Sequence, residues 1–258
     1  MSKAIVSKTM IQKHPFRFGV LNETMLSRQY WLCQARKAEE LGYATFLIRD
    51  HFVSDFGGAT FSPVASMTAA ANATQTLRTG TLVIDNDFRH PIVLAKEVAT
   101  LDQMSDGRFE LGLGAGKKRM CQLAGREADI VGLLTISTSH GTFQADPVEM
   151  LASTITQKIN WVREGAGERF PEIELSMMIS ICITENPQQY AEQLIQENKW
   201  HNISVEQVLD MPSKFFGSID QIVEQMEARR ERFGFSYYIV TDKIMDTLAP
   251  IVAQLTGK

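Results

Sequence analysis

Short apolar runs that end in polar residues, each followed by a tract of helical periodicity, recur along this chain, and that rhythm limits the folds open to it. The first run, 16–20, precedes a helical tract at 27–41 in which Trp31, Ala35, Ala38 and Leu41 share one face. Ser27 is suited to cap its start and Gly42 to stop it. Run 43–48 leads into Arg49-Asp50-His51, a Gly57-Gly58 loop and a small-residue helix at 63–74. Run 77–84 precedes the polar loop 85–90, and Pro91 opens a helix through Met104. A strand at 108–116 ends in Gly112, Gly114 and Gly116. A short helix at 117–126, a strand at 129–134 and a helix at 147–163 follow. The longest strand candidate is 174–183, followed by helices at 187–199 and about 218–232. Strand 235–240 and the helix Met245–Leu255 close the series.

Alternation of this kind predicts parallel strands covered by helices. Seven strand candidates exceed the five or six of a doubly wound sheet and fall one short of a closed (β/α)8 barrel. The glycine run GLGAG at 112–116 is not GxGxxG and lies far from the first strand-to-helix turn, which disfavours a dinucleotide-binding sheet. A length of 258 residues suits one barrel domain over 1–258, with a polar lead at 1–14 expected to be flexible.

Composition excludes several classes. With 44% apolar and 22% charged residues the chain can build a core, and a net charge of −4 gives no reason to expect nucleic acid or an anionic membrane as partner. No run of 18 apolar residues occurs and 1–14 lacks an apolar signal core, so a cytoplasmic protein is expected. Cys33, Cys121 and Cys182 have no metal or disulfide spacing, and Cys33 and Cys182 read as small buried hydrophobes. No metal site is expected: His140 and His201 lack ligating neighbours, and HExxH, Walker A and nucleophile-elbow sequences are missing. Met177, Met178, Trp161 and Trp200 read as packing residues.

In a barrel, chemistry gathers where strands end. Those ends carry Asn22 and Glu23, then Asp50 and His51, then 85–89, then 114–118. His51 can donate a proton, orient a substrate oxygen or position a cofactor ring, or it can satisfy a loop carbonyl. Asn86 and Asp87 can cap their own loop, and Arg89 and His90 can meet an anion or pair with Asp85 and Asp87. Gly114 and Gly116 allow close backbone approach, and Lys117, Lys118 and Arg119 can meet a phosphate or form ordinary basic surface.

Several stretches then carry a resemblance. FGV at 18–20, AEELGY at 38–43, IRDHF at 48–52, the long stretch 79–116 with its NDFRHP loop and GLGAG strand, LAGREADIVGL at 123–133 and GSIDQIVEQM at 217–226 resemble the luciferase-like monooxygenase superfamily. The likeness is greatest to the branch of coenzyme F420-dependent oxidoreductases. It implies a (β/α)8 barrel with FMN or F420 at its C-terminal face. Asp50 and His51 then lie at the second strand end, with His51 near ring or substrate. Ile84-Asp85-Asn86 lies at the third, where many relatives carry a non-prolyl cis peptide, here expected within that stretch. Catalytic roles fall to His51, Asp50 and Asn86. Ile84, Asp85, Asn86, Arg89, Gly114, Ala115, Gly116, Lys117 and Lys118 fall near the cofactor.

The resemblance also shows a departure. Relatives follow GLGAG with a helix, an excursion and a further strand, whereas Gly116 here runs straight into KKRMCQLAGREADIVGL. An internal deletion after residue 116 thus reduces the TIM-barrel-like fold to about seven strands. Loss of a strand leaves edge hydrogen bonds that must be narrowed, covered or paired, and a homodimer covering the deletion is expected. The implied function is a flavin- or F420-dependent oxidoreductase acting on a small organic substrate by hydride transfer or monooxygenation. The alternatives are a non-catalytic flavin-binding or structural homodimer, and a barrel repurposed for a non-redox biosynthetic step.

Overall fold

The computed structural model describes residues 14–52, 61–113, 117–135, 137–139, 142–144 and 146–258. In chain order the elements of the first half are β1 (Arg17–Leu21), α1 (Arg28–Glu40), β2 (Thr45–Ile48), α2 (Pro63–Ala73), β3 (Arg78–Thr81), α3 (Pro91–Met104), β4 (Phe109–Glu110) and α4 (Lys118–Glu127). Then come β5 (Ile130–Gly132), a hairpin of β6 (Ser137–Ser139) and β7 (Thr142–Gln144), α5 (Ala152–Ala166), β8 (Glu174–Met178) and β9 (Ser180–Ile183). The chain continues through α6 (Pro187–Glu197), α7 (Val205–Leu209), β10 (Lys214–Gly217), α8 (Ile219–Phe233), β11 (Phe235–Thr241) and α9 (Met245–Leu255).

Seven of these strands form one parallel sheet in the order β4-β3-β2-β1-β11-β8-β5. The sheet is an open half-barrel, a reduced (β/α)8-like fold. In a closed barrel β4 and β5 would be neighbours; here they are the two edges. The opening therefore falls at the deletion that the sequence implies after residue 116. β9 and β10 pair separately, as do β6 and β7.

Alternation along each strand sorts its side chains. Phe18 and Val20 of β1, with Phe46 and Ile48 of β2, point outward into the main core beneath the helices. α1 adds Trp31, Ala35 and Ala38, the face the periodicity predicts, and Ser27 accepts the Tyr30 N–H at its start. Burial of each large apolar side chain stabilises the fold by about 1.5–3 kcal/mol. α4 and α5 cross with their backbones almost touching: a Cβ on Gly125 would lie 2.2 Å from the Val162 carbonyl oxygen, and one on Gly165 2.0 Å from that of Gln122. No other residue fits either position, so this pair packs β5 under one rigid helical unit.

The inner face carries charge at its N-terminal end. Arg17 Nε donates to both Glu174 oxygens at 2.8 Å, and its Nη1 to Glu110 Oε1 at 2.6 Å. Arg78 Nε reaches the same Glu110 oxygen at 2.7 Å, and the Arg17 guanidinium lies 3.8 Å from the Tyr237 ring centre. Burial works against the Arg17 charge, but the hydrogen bond to Glu174 and the charges of Glu110 and Glu174 prevail and raise its pKa. Burial and the Glu110 charge push the Tyr237 phenol up in turn. Further along the sheet, Leu21, Leu47, Tyr237 and Ile239 form a small apolar cluster, with Leu82, Ile130 and Met178 against it.

Three expectations need correction. The run 174–183 is two strands, because Ile179 donates its N–H to Ile239 of β11 while Ser180 donates to Ser213, so the chain changes sheets there. The tract 147–163 breaks at Leu151 into a short turn, Pro147–Met150, and α5, because Leu151 is extended. Cys33 lies on the solvent face of α1 and Cys182 is half-buried in β9; only Cys121 of the three is buried. Met177 and Met178 are packing residues as expected, Met177 in the main core and Met178 half-buried against the inner apolar cluster.

Candidate active site at the strand ends

Two clusters of polar side chains meet at the C-terminal ends of the strands. The first joins β2 to β3. Asp50, 7% exposed, accepts the Asp85 N–H at 2.8 Å and takes both ends of the Arg89 guanidinium, Nη1 in a short contact on Oδ2 and Nη2 at 3.0 Å from Oδ1. Arg89 Nη1 also donates to the Asp85 carbonyl at 2.7 Å. Asp85 Oδ1 accepts the Asp87 N–H and starts a single helical turn, Asn86–Phe88. A bidentate carboxylate–guanidinium pair is geometrically specific. It clamps the loop after β3 to the end of β2.

Asp50, Asp85 and Arg89 are thus brought together, and the Asp50 carboxylate is occupied by its loop partners. Arg89 pairs with Asp50 rather than with the Asp85 or Asp87 carboxylates. His51 follows, half-buried, and Asn86 is exposed on the turn. The Ile84 side chain is buried, its backbone bridging to Leu113. The non-prolyl cis peptide expected within Ile84-Asp85-Asn86 lies just upstream, between Leu82 and Val83. Gly114, Ala115 and Gly116 lie outside the described residues. Lys117 is exposed at the start of α4, and Lys118 faces Glu164 of α5 at 3.7 Å.

The second cluster joins β1, β2 and β11. Glu23 pairs with Arg49 Nη1 at 2.9 Å and Lys243 Nζ at 3.6 Å. Asp242 accepts the N–H groups of Glu23 and Thr24 at 3.1 and 3.3 Å. Arg49, Asp242 and Lys243 were not among the sequence candidates. Strand alternation could have found Arg49, which continues the inward series Thr45, Leu47; Asp242 and Lys243 directly follow the last strand.

Directly after β1, Asn22 is fully buried and donates Nδ2–H to the Thr24 carbonyl at 2.7 Å, while its Oδ1 has no protein partner. A buried acceptor without a donor costs about 1–3 kcal/mol. It fits a group that carries its own N–H, as the ring systems of FMN and F420 both do. Among the described residues no cluster of His, Cys, Asp and Glu could hold a metal ion, and no helix is long and apolar enough to cross a membrane.

Comparison with known proteins agrees with this architecture. Residues 12–129 match the family described as luciferase-like monooxygenase. Limonene 1,2-monooxygenase of Rhodococcus erythropolis is 34% identical over 128 residues, 48% of this chain and 31% of that protein. The chain thus spans less than a third of that relative's length. Among solved structures, the coenzyme F420-dependent tetrahydromethanopterin reductase of Methanopyrus kandleri superposes with a TM-score of 0.66 at 14% identity, over 94% of this chain and 99% of that one. The FMN-bound oxygenating constituent of 3,6-diketocamphane monooxygenase from Pseudomonas putida gives 0.58 at 13% identity, over 92% and 95%. Residues 12–129, a little under half of the chain, thus resemble the luciferase-like monooxygenase family, and the sheet follows the fold of these solved structures.

Proposed function

We propose that this chain is an oxidoreductase that holds F420 or FMN over the C-terminal end of its open sheet and acts on a small organic substrate. The observation that carries this reading is the buried, donorless Asn22 Oδ1 at the strand ends of a fold shared with F420- and FMN-binding proteins. When bound, such a ring supplies hydride exchange or, as reduced FMN, reaction with oxygen. The chain's own residues supply the rest. Asn22 Oδ1 accepts a ring N–H, and Asn86 hydrogen-bonds ring or substrate. His51 exchanges a proton at a substrate oxygen. Asp50 and Arg89 hold the loop that carries Asn86, while Lys117 and Lys118, at the start of α4, supply positive charge for a cofactor phosphate. In this reading Asp50 positions rather than reacts, because its carboxylate is already paired.

The absorbance spectrum of the purified protein, followed by calorimetric titration with FMN and F420, tests the proposal. Stoichiometric binding of one of them, at micromolar affinity or tighter, is expected. Well-folded protein that binds neither overturns it.

The opening between β4 and β5 favours a second reading, a cofactor-binding protein without turnover. Binding of FMN or F420 without consumption of reduced cofactor would select it. The same unpaired edges support a homodimer in which a second copy covers the opening. Light scattering tests that: a monodisperse monomer removes it.

A further inference from the structure

The strand ends carry a feature that neither polar cluster uses. Phe52, directly after β2 and His51, and Phe88, at the end of the turn after β3, are 62% and 69% exposed, yet their rings meet with centroids 4.7 Å apart at 58°. They come from separate elements, and the Asp50–Arg89 clamp is what joins those elements. The Arg89 guanidinium lies 5.8 Å from the Phe52 ring centre, so the ion pair also seats one of the two rings. Leu113, 56% exposed, is a backbone-bridge partner of Ile84, which precedes the turn that carries Phe88.

We infer that Phe52 and Phe88 form an aromatic lip that selects an uncharged, apolar, flat or cyclic substrate for the reaction proposed above, on which this inference rests. Three observations carry it. Aromatic pairs favour tilted contacts at this separation, and a third flat apolar group extends such a pair. The Arg89 cation beside the lip is spent: both ends lie on Asp50 and Asp85, so its charge is not free to receive an anionic substrate. The area is also small. Phe side chains bury about 150–250 Å² each, so two of them with Leu113 fall short of the roughly 800 Å² per partner of a stable protein interface. The lip has the dimensions of a small molecule.

The test is equilibrium binding of 2-naphthaldehyde, an uncharged planar carbonyl compound, and of 2-naphthoate, its anionic counterpart, to the full chain and to the variants Phe52→Ala, Phe88→Ala and Phe88→Leu. Titration with FMN and F420 runs in parallel. The aldehyde is expected to bind in preference to the carboxylate and to lose about tenfold in affinity in each Ala variant. Phe88→Leu should recover part of that loss, and cofactor affinity should stay unchanged. Naphthaldehyde affinity that is the same in all variants overturns the lip, as does a preference for naphthoate. A shift from dimer to monomer in the Ala variants with unchanged naphthaldehyde binding also overturns it, and assigns the rings to an interface between copies. Failure of the wild-type protein to bind either cofactor overturns the oxidoreductase reading instead, and the aldehyde series still decides the lip.

Discussion

The two ends of the sheet's inner face treat polar groups in opposite ways. At the N-terminal end, Arg17, Arg78, Glu110, Glu174 and Tyr237 fill the space with a network in which each charge meets an opposite one at 2.6–2.8 Å. Arg17 sits on β1 near the middle of the sheet and grips β4, one edge, and β8, next to the other. At the C-terminal end the charges fall into two separate clusters, Asn22 Oδ1 lacks a partner, and two phenylalanines face solvent. A finished network with no loose end serves the frame. An end with an orphaned acceptor and exposed rings is built for something that arrives later.

Removing the brace should break this contrast most severely. Arg17→Met leaves Glu110 and Glu174 facing each other without their shared cation, and a loss of about 3–5 kcal/mol in urea unfolding is expected; a loss below about 1 kcal/mol would show that the network is not a brace. At the other end, Arg89→Gln frees the loop after β3 and strands Asp50. It should cost about 1–3 kcal/mol and weaken naphthaldehyde binding as the lip variants do. Asn22→Ala removes the waiting acceptor and should weaken FMN or F420 binding about fivefold, for one hydrogen bond of roughly 1 kcal/mol, while thermal unfolding changes little. An equal loss of stability and of affinity would mean that Asn22 belongs to the frame.

The smallest effect concerns acid. Glu39, at the end of α1, accepts the N–H groups of Gln75, Thr76 and Leu77 at 2.8, 2.6 and 2.9 Å, holding the entry to β3 at the N-terminal end. Burial pushes its carboxyl up, but those donors outweigh burial and its pKa lies below the ordinary 4.5. A carboxylate held this way stabilises the fold above its unfolded pKa, and the contribution fades as pH falls from about 4.5 through the folded value. Glu39→Gln should therefore flatten the acid limb of the stability profile below pH 4.5. An unchanged slope there would remove Glu39 from the set of anchors at this end.

Much of the frame is legible in the sequence because it rests on local signals. Trp31, Ala35 and Ala38 recur at helical spacing, Ser27 caps and Gly42 stops, and Met245–Leu255 has the same bounds in sequence and structure. Signals fail where the partner decides. The run 174–183 is strand-like throughout, its few polar residues Glu174, Ser176 and Ser180 included, and nothing in it marks Ile179 as the point of exchange between β11 and β10. Lys214–Gly217, four residues beginning two after Pro212, is too short for its own pattern. In the site, the positions of Asp50, His51 and Asn86 follow from strand ends, but the Asp50–Arg89 pair spans 39 residues and appears only once β2 and β3 lie side by side. Cys33 deceived because a helix carries apolar residues on its wet face at little cost.

The order of strands has a consequence for how the protein comes into being. In the backbone ladder β1 and β8 are joined only through β11, the last strand among the described residues. A growing polypeptide can assemble β1 to β4 early, but the strip of β1 that faces β11 stays bare until residues 235–241 have been made. The final residues then fasten to the first strand's entry, Phe16 donating its N–H to Lys258 and accepting that of Gly257. Nascent chains arrested before Phe235 would hold two unjoined sheets, each with an open parallel edge, and would depend on a chaperone for as long as synthesis pauses there.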